Sequence, residues 1–231
     1  VVTLGCRLNI HESQAIRDNA VRAGLDGITV VNTCAVTSEA VAKARQTIRR
    51  ISRERGGKIV VTGCAAQTEP QTFAKMPEVA LVLGNDDKMR AAPWLEAREK
   101  FETGDKLAVT DIMAVQNPAA PPIESQDGKT RAFVQIQNGC DHRCTFCVIP
   151  FGRGNSRSLS PDEVIAQVRR VEATRVRDVP HCDAPVRRSP HFPRVRCVQR
   201  DMRRNPTQRG FPTVHAGRRD HGRFRAPLLS R

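Results

Sequence analysis

Three short runs of β-branched residues each end in a cysteine. They read Val1-Val2-Thr3-Leu4-Gly5-Cys6, Val30-Val31-Asn32-Thr33-Cys34 and Val60-Val61-Thr62-Gly63-Cys64. Segments of helical periodicity separate them, so the runs are expected to be strands of a parallel sheet joined by crossover helices. All strand carboxyl ends then share one edge, which is where open α/β folds place ligands. Cysteines far apart in sequence can thereby converge. Gly5 and Gly63 would let the backbone turn tightly there and come close to a bulky ligand.

The α/β alternation continues beyond these runs. Strands are expected at about 1–4, 28–31, 58–61, 79–83 and 107–109, with helices at about 11–23 and 38–53. In the second helix Val41, Ala44, Ile48 and Ile51 fall on one face, while Lys43, Arg45, Arg49, Arg50 and Arg53 lie largely elsewhere. That basic run, with Arg55, is expected to be a solvated face before it is a phosphate-binding one. Gly56-Gly57 ends the helix. The reading gives an N-terminal parallel-sheet domain over residues 1–112 and a linker at 113–129, where Asn117-Pro118 and Pro121-Pro122 gather. A second α/β unit follows at 130–171. It opens with a strand at about 132–136 and a long loop at 138–159. Ser160-Pro161-Asp162-Glu163 then carries a capping box ahead of the apolar face of Val164, Ile165, Val168 and Val171.

The loop after that strand holds Cys140-Asp141-His142-Arg143-Cys144-Thr145-Phe146-Cys147, a CxxxCxxC motif. Three thiolates suit an iron-sulfur cubane that keeps one iron without a protein ligand, whereas structural zinc normally takes four ligands. Two alternatives stand beside this reading. The strand-end cysteines fit small buried core residues, and CxxxCxxC fits a zinc knuckle completed by His142 or a distant residue. His11 and His142 read as loop or surface residues. Cys182 and Cys197 lack ligand spacing and are assigned no site.

With these residues together, the chain resembles the radical S-adenosylmethionine methylthiotransferases. Thr3-Leu4-Gly5-Cys6-Arg7-Leu8-Asn9 with Glu12-Ser13, Asn32-Thr33-Cys34-Ala35-Val36-Thr37-Ser38-Glu39-Ala40 and Gly63-Cys64-Ala65-Ala66-Gln67 are most similar to those acting on threonylcarbamoyladenosine in tRNA. Gln135-Ile136-Gln137-Asn138-Gly139-Cys140 and Pro150-Phe151-Gly152-Arg153-Gly154-Asn155-Ser156-Arg157-Ser158 point the same way. The similarity covers residues 1 to about 172.

The resemblance implies a role for each motif. Cys140, Cys144 and Cys147 would hold a 4Fe-4S cluster whose open iron binds S-adenosylmethionine, and one electron would cleave the sulfonium to a deoxyadenosyl radical. Phe146 would pack near the adenine, with burial for packing as its alternative. Cys6, Cys34 and Cys64 would hold an auxiliary 4Fe-4S cluster that presents sulfur. The product would be a methylthio group on carbon 2 of the modified adenosine at tRNA position 37, with a second S-adenosylmethionine supplying the methyl. The partners implied are tRNA and an electron donor such as a flavodoxin or ferredoxin. Family members continue into the remaining barrel strands and a small RNA-binding β-domain.

Composition departs from that pattern at the end of the chain. Of 38 Lys and Arg and 24 Asp and Glu, residues 172–231 hold 15 Arg, no Lys and 5 acids. Leu, Ile, Val and Phe number 11 in those 60 residues, too few for a core, so the tail is expected to be disordered. Its Arg, Pro and His bias suits a GC-rich gene read out of frame, and a genuine RNA-binding arm is the competing reading. On this basis the chain is expected to be a truncated, inactive member of its family. The start at Val1 reads as an alternative start or as missing residues.

No apolar run nears the roughly 18 residues of a membrane span, and the first residues lack a signal-peptide core, so a cytoplasmic protein without membrane association is expected. Eight cysteines there point to metal ligation before disulfides. Two functions compete with the enzyme: a metal-containing RNA-binding protein without catalysis, and a thiol redox protein. The first domain has no CxxC, which argues against the latter.

Overall fold

Five parallel strands lie side by side in sequence order: β1 (Val2–Thr3), β2 (Thr29–Thr33), β3 (Ile59–Gly63), β4 (Val79–Leu83) and β5 (Leu107–Ala108). The computed structural model describes residues 1–117, 133–173 and 181–182, all within one compact body, Val1–Ser189. β3 is buried at every residue, as a central strand covered on both faces must be. Successive side chains point to opposite faces and enter two cores. On one face Val31, Val61 and Val82 meet Val41, Ala44, Ile48 and Ile51 of helix α2 (Ser38–Arg55) and Phe73. On the other, Val30, Val60, Leu81 and Leu83 meet Ile16 and Ala20 of α1 (Arg7–Arg22), with Trp94 and Ala97. Each buried Val, Leu, Ile or Phe among them contributes roughly 1.5–3 kcal/mol by leaving water.

Helix α1 begins at Arg7, not at residue 11, because the chain reverses at Gly5 and enters the helix directly from Cys6. Short helices complete the domain: α3 (Cys64–Thr68), α4 (Pro70–Ala74), α5 (Ala92–Leu95) and α6 (Ala97–Thr103). A single 3-10 turn, Asp87–Met89, precedes α5.

In the second unit, β6 (Val134–Gln135) and β7 (Gln137–Asn138) precede α7 (Ile149–Arg153), β8 (Arg157–Ser158) and α8 (Pro161–Ala173). Residues 138–159 are therefore not one loop. The Gly- and Pro-rich run folds into α7, and β8 returns antiparallel to β7 with Gln137 opposite Ser158. Val134, Ile136, Leu159, Val164 and Val168 form a separate small core. The capping box is present: Ser160 N–H donates to Glu163 Oε2 at 2.7 Å and Glu163 N–H donates to Ser160 Oγ at 3.3 Å. Residues 118–132 of the expected linker lie outside the described residues. Of residues 172–231, Glu172 and Ala173 end α8, and β9 (His181–Cys182) pairs in parallel with β6. The rest of that stretch, including Cys197, lies outside the description. No helix among the described residues is long and apolar enough to cross a membrane.

Candidate metal centre at the sheet edge

Cys6, Cys34 and Cys64 follow β1, β2 and β3, so the parallel register delivers them to one edge. Cys6 is exposed at the start of α1, while Cys34 and Cys64 are buried. A methyl group on Gly5 would stand 2.6 Å from Cys34 Cβ and 2.9 Å from its Sγ, so the first cysteine turn rests directly on the second. Gly5 has φ of 99°, a conformation that a residue with a side chain rarely adopts. Asn85 Nδ2 donates to Cys64 Sγ at 3.5 Å.

Burial pushes the Cys34 thiol up; the Val36 backbone N–H opposes that, and Cys64 and Cys6 push it further. Among the described residues, no three His, Cys, Asp or Glu side chains close up around a single metal-ion position. Ligands of a cubane bind different corners and stand farther apart than ligands of one ion. The donor set at this edge, three thiols and neighbouring buried cations, therefore fits an anionic polynuclear cluster by its chemistry.

The second cysteine group sits on a loop pinned at both ends. Cys140 N–H donates to the Gly154 carbonyl at 3.1 Å, and Cys147 N–H to that of Cys144 at 3.0 Å. Arg143 Nη2 donates to Asn155 Oδ1 at 2.6 Å, and Ser156 N–H to Asp141 Oδ1 at 2.8 Å. Cys144 is exposed and Cys140 and Cys147 are half-buried. Phe146 is 91% exposed and fills no core among the described residues. His142 is exposed as expected, but His11 is not a loop or surface residue. It is buried on α1, with Nδ1 2.7 Å from the Phe133 carbonyl oxygen.

Helix α7 joins this loop to the first edge. A methyl on Gly152 would stand 3.1 Å from Cys64 Cβ, and Asn85 Nδ2 donates to the Gly152 carbonyl at 2.5 Å. Next to it, the buried Arg153 guanidinium enters the first domain. Its Nη1 donates to Glu12 Oε1 at 2.7 Å, and its Nη2 to Glu12 Oε2 at 3.1 Å and Asn9 Oδ1 at 2.7 Å. Lys88, fully buried, donates to Glu12 Oε2 at 2.7 Å and to Asn32 Oδ1 at 3.3 Å. Burial alone would raise the Glu12 carboxyl, but Arg153 and Lys88 override it and hold it at about 2. Burial pulls the Lys88 ammonium below the ordinary lysine value against the attraction of Glu12, and Arg153 adds to the fall.

Sequence reading assigned no role to Glu12, Asn85, Lys88 or Arg153. Glu12 and Arg153 lie inside stretches that carry the family resemblance, and that placement was the available signal.

A model of the uncharacterised protein family UPF0004 matches residues 1–84, and one of the radical SAM superfamily matches residues 134–179. The threonylcarbamoyladenosine tRNA methylthiotransferase MtaB of Rickettsia prowazekii is 47% identical over 170 residues, covering 73% of this chain and 39% of the relative. Its Bacillus subtilis namesake is 36% identical over 178 residues, with the same two coverages. This chain is similar to the radical SAM methylthiotransferases over most of its described length. The tRNA-2-methylthio-N(6)-dimethylallyladenosine synthase of Sorangium cellulosum, also similar, is 30% identical over 199 residues, 78% of this chain and 40% of that protein. The chain spans about two fifths of the length of these curated relatives.

Proposed function

We propose that the chain provides the sulfur-donating and radical-initiating parts of a threonylcarbamoyladenosine tRNA methylthiotransferase. Cys6, Cys34 and Cys64 hold one 4Fe-4S cluster and Cys140, Cys144 and Cys147 a second. One observation carries the reading: α7, which follows the CxxxCxxC loop, is docked on the very edge where the other three cysteines emerge. When bound, the clusters supply the electron that splits S-adenosylmethionine and the sulfur that replaces hydrogen on the adenine ring, chemistry that amino-acid side chains lack.

The protein's own part is positioning. Arg143 and Asp141 hold the CxxxCxxC loop against residues 154–156, and exposed Phe146 offers a flat apolar face for the adenine of S-adenosylmethionine. Exposed Lys43, Arg49, Arg50, Arg53 and Arg55 on α2 present positive charge suited to tRNA phosphates. A flavodoxin or ferredoxin delivers the electrons, and the reaction takes place in the cytoplasm.

The test is anaerobic reconstitution with iron and sulfide, then reductant and S-adenosylmethionine. Release of 5′-deoxyadenosine that Cys144→Ala abolishes supports the enzyme. Metal-loaded protein that binds tRNA and leaves S-adenosylmethionine intact would instead favour a structural RNA-binding protein. Mass analysis of nucleosides from tRNA incubated with the loaded chain tests whether any adenosine derivative receives a methylthio group, and which one.

A further inference from the structure

Glu12, Lys88 and Arg153 form a buried ionic group with two cations and one carboxylate. The first domain contains a matched pair, Glu12 with Lys88, and the second domain adds Arg153. Asp86 is occupied by Arg90 at 2.5 Å, and Asp87 turns to Thr110, accepting from its N–H at 2.8 Å and its hydroxyl at 2.6 Å. The remaining polar partners, Asn9, Asn32 and Asn138, are neutral. A surplus buried cation is costly unless an anion stands beside it. The neighbouring groups that answer this are the thiols: Gly152, adjoining Arg153, lies on Cys64, and Asn9 accepts from both Arg153 Nη2 and Cys6 Sγ, at 2.7 and 3.9 Å.

We infer that Arg153 is a positioning residue for the Cys6, Cys34 and Cys64 site: it brings across the domain boundary the positive charge that an anionic cluster on those thiolates requires. The inference rests on the cluster reading above. A cubane with three thiolate ligands is negative in both of its common redox states, and a fixed cation beside it favours the more reduced one. Binding is reciprocal, so loading the cluster also favours the docking of α7.

The experiment uses the full chain with Cys140, Cys144 and Cys147 replaced by Ala, so that only the first site takes iron. Arg153→Met and Lys88→Met each leave one cation matched to Glu12, so both should fold and load. Midpoint potentials are read by redox titration monitored by electron paramagnetic resonance, and iron loss by chelator challenge. Both variants should titrate at more negative potential and lose iron about tenfold faster, the scale on which groups around a metal site act. Arg153→Lys should keep the parent potential. An unchanged potential in an iron-loaded variant overturns the inference, and so does failure of both methionine variants to fold. A parent without iron overturns the cluster reading and this inference with it.

Discussion

The Arg153 guanidinium and the Glu12 carboxylate face each other with two hydrogen bonds, of 2.7 and 3.1 Å, although 141 residues separate them in the chain. This paired geometry fixes orientation as well as distance. Because Gly152 is seated on Cys64, the same contact sets how closely the second unit approaches the cysteine edge. A one-residue displacement of α7 would lose both.

Acid should loosen the fold through Glu12. Its carboxyl is held at about 2, below the ordinary 4.5, so its contribution is complete above the ordinary value and is lost as pH falls toward about 2. Urea unfolding of the parent should therefore show declining stability across that interval. Glu12→Gln should lack this part of the decline while being less stable at neutral pH. Glu12→Ala, which strands two buried cations, should cost about 3–5 kcal/mol at neutral pH.

Gly5→Ala is expected to damage the first cysteine site selectively. The added methyl meets Cys34 Cβ at 2.6 Å, and a φ of 99° costs a residue with a side chain about 1–3 kcal/mol. Iron bound after reconstitution should fall by about half, with the CxxxCxxC cluster retained. Full iron loading with parental thermal stability would show that this turn does not shape the site.

Phe146→Ala should leave folding unchanged, since the ring is 91% exposed and fills no core. Binding of S-adenosylmethionine to the reconstituted chain should weaken by roughly 3- to 10-fold, the equivalent of one aromatic contact. Calorimetry at equal iron content checks both statements, and unchanged affinity would remove Phe146 from the cofactor site.

The strand-end cysteines were legible because β-branched runs and parallel connections dictate where Cys6, Cys34 and Cys64 must go. The apolar face of α2 was legible for the same reason of periodicity. The short elements of the second α/β unit were not: α7 and β8 sit in a Gly- and Pro-rich run whose local preferences do not decide between turn and helix, and contacts with Cys64 and β7 settle it. The buried ion group was hidden because charged residues are rarely buried. Glu12, Lys88 and Arg153 lie 76 and 141 residues apart, and burial depends on the sheet edge that brings them together. His11 escaped for a related reason, since its burial rests on the Phe133 carbonyl, 122 positions away in the chain.

The most direct measurement is the metal and sulfide content of the anaerobically reconstituted chain, with Mössbauer spectra of the parent and of two variants, one lacking Cys6, Cys34 and Cys64 and the other lacking Cys140, Cys144 and Cys147. Two three-thiolate sites predict about eight iron and about eight sulfide per chain, halved in either variant, with cubane spectra throughout. One zinc per chain without sulfide, lost when either cysteine group is removed, would contradict the account.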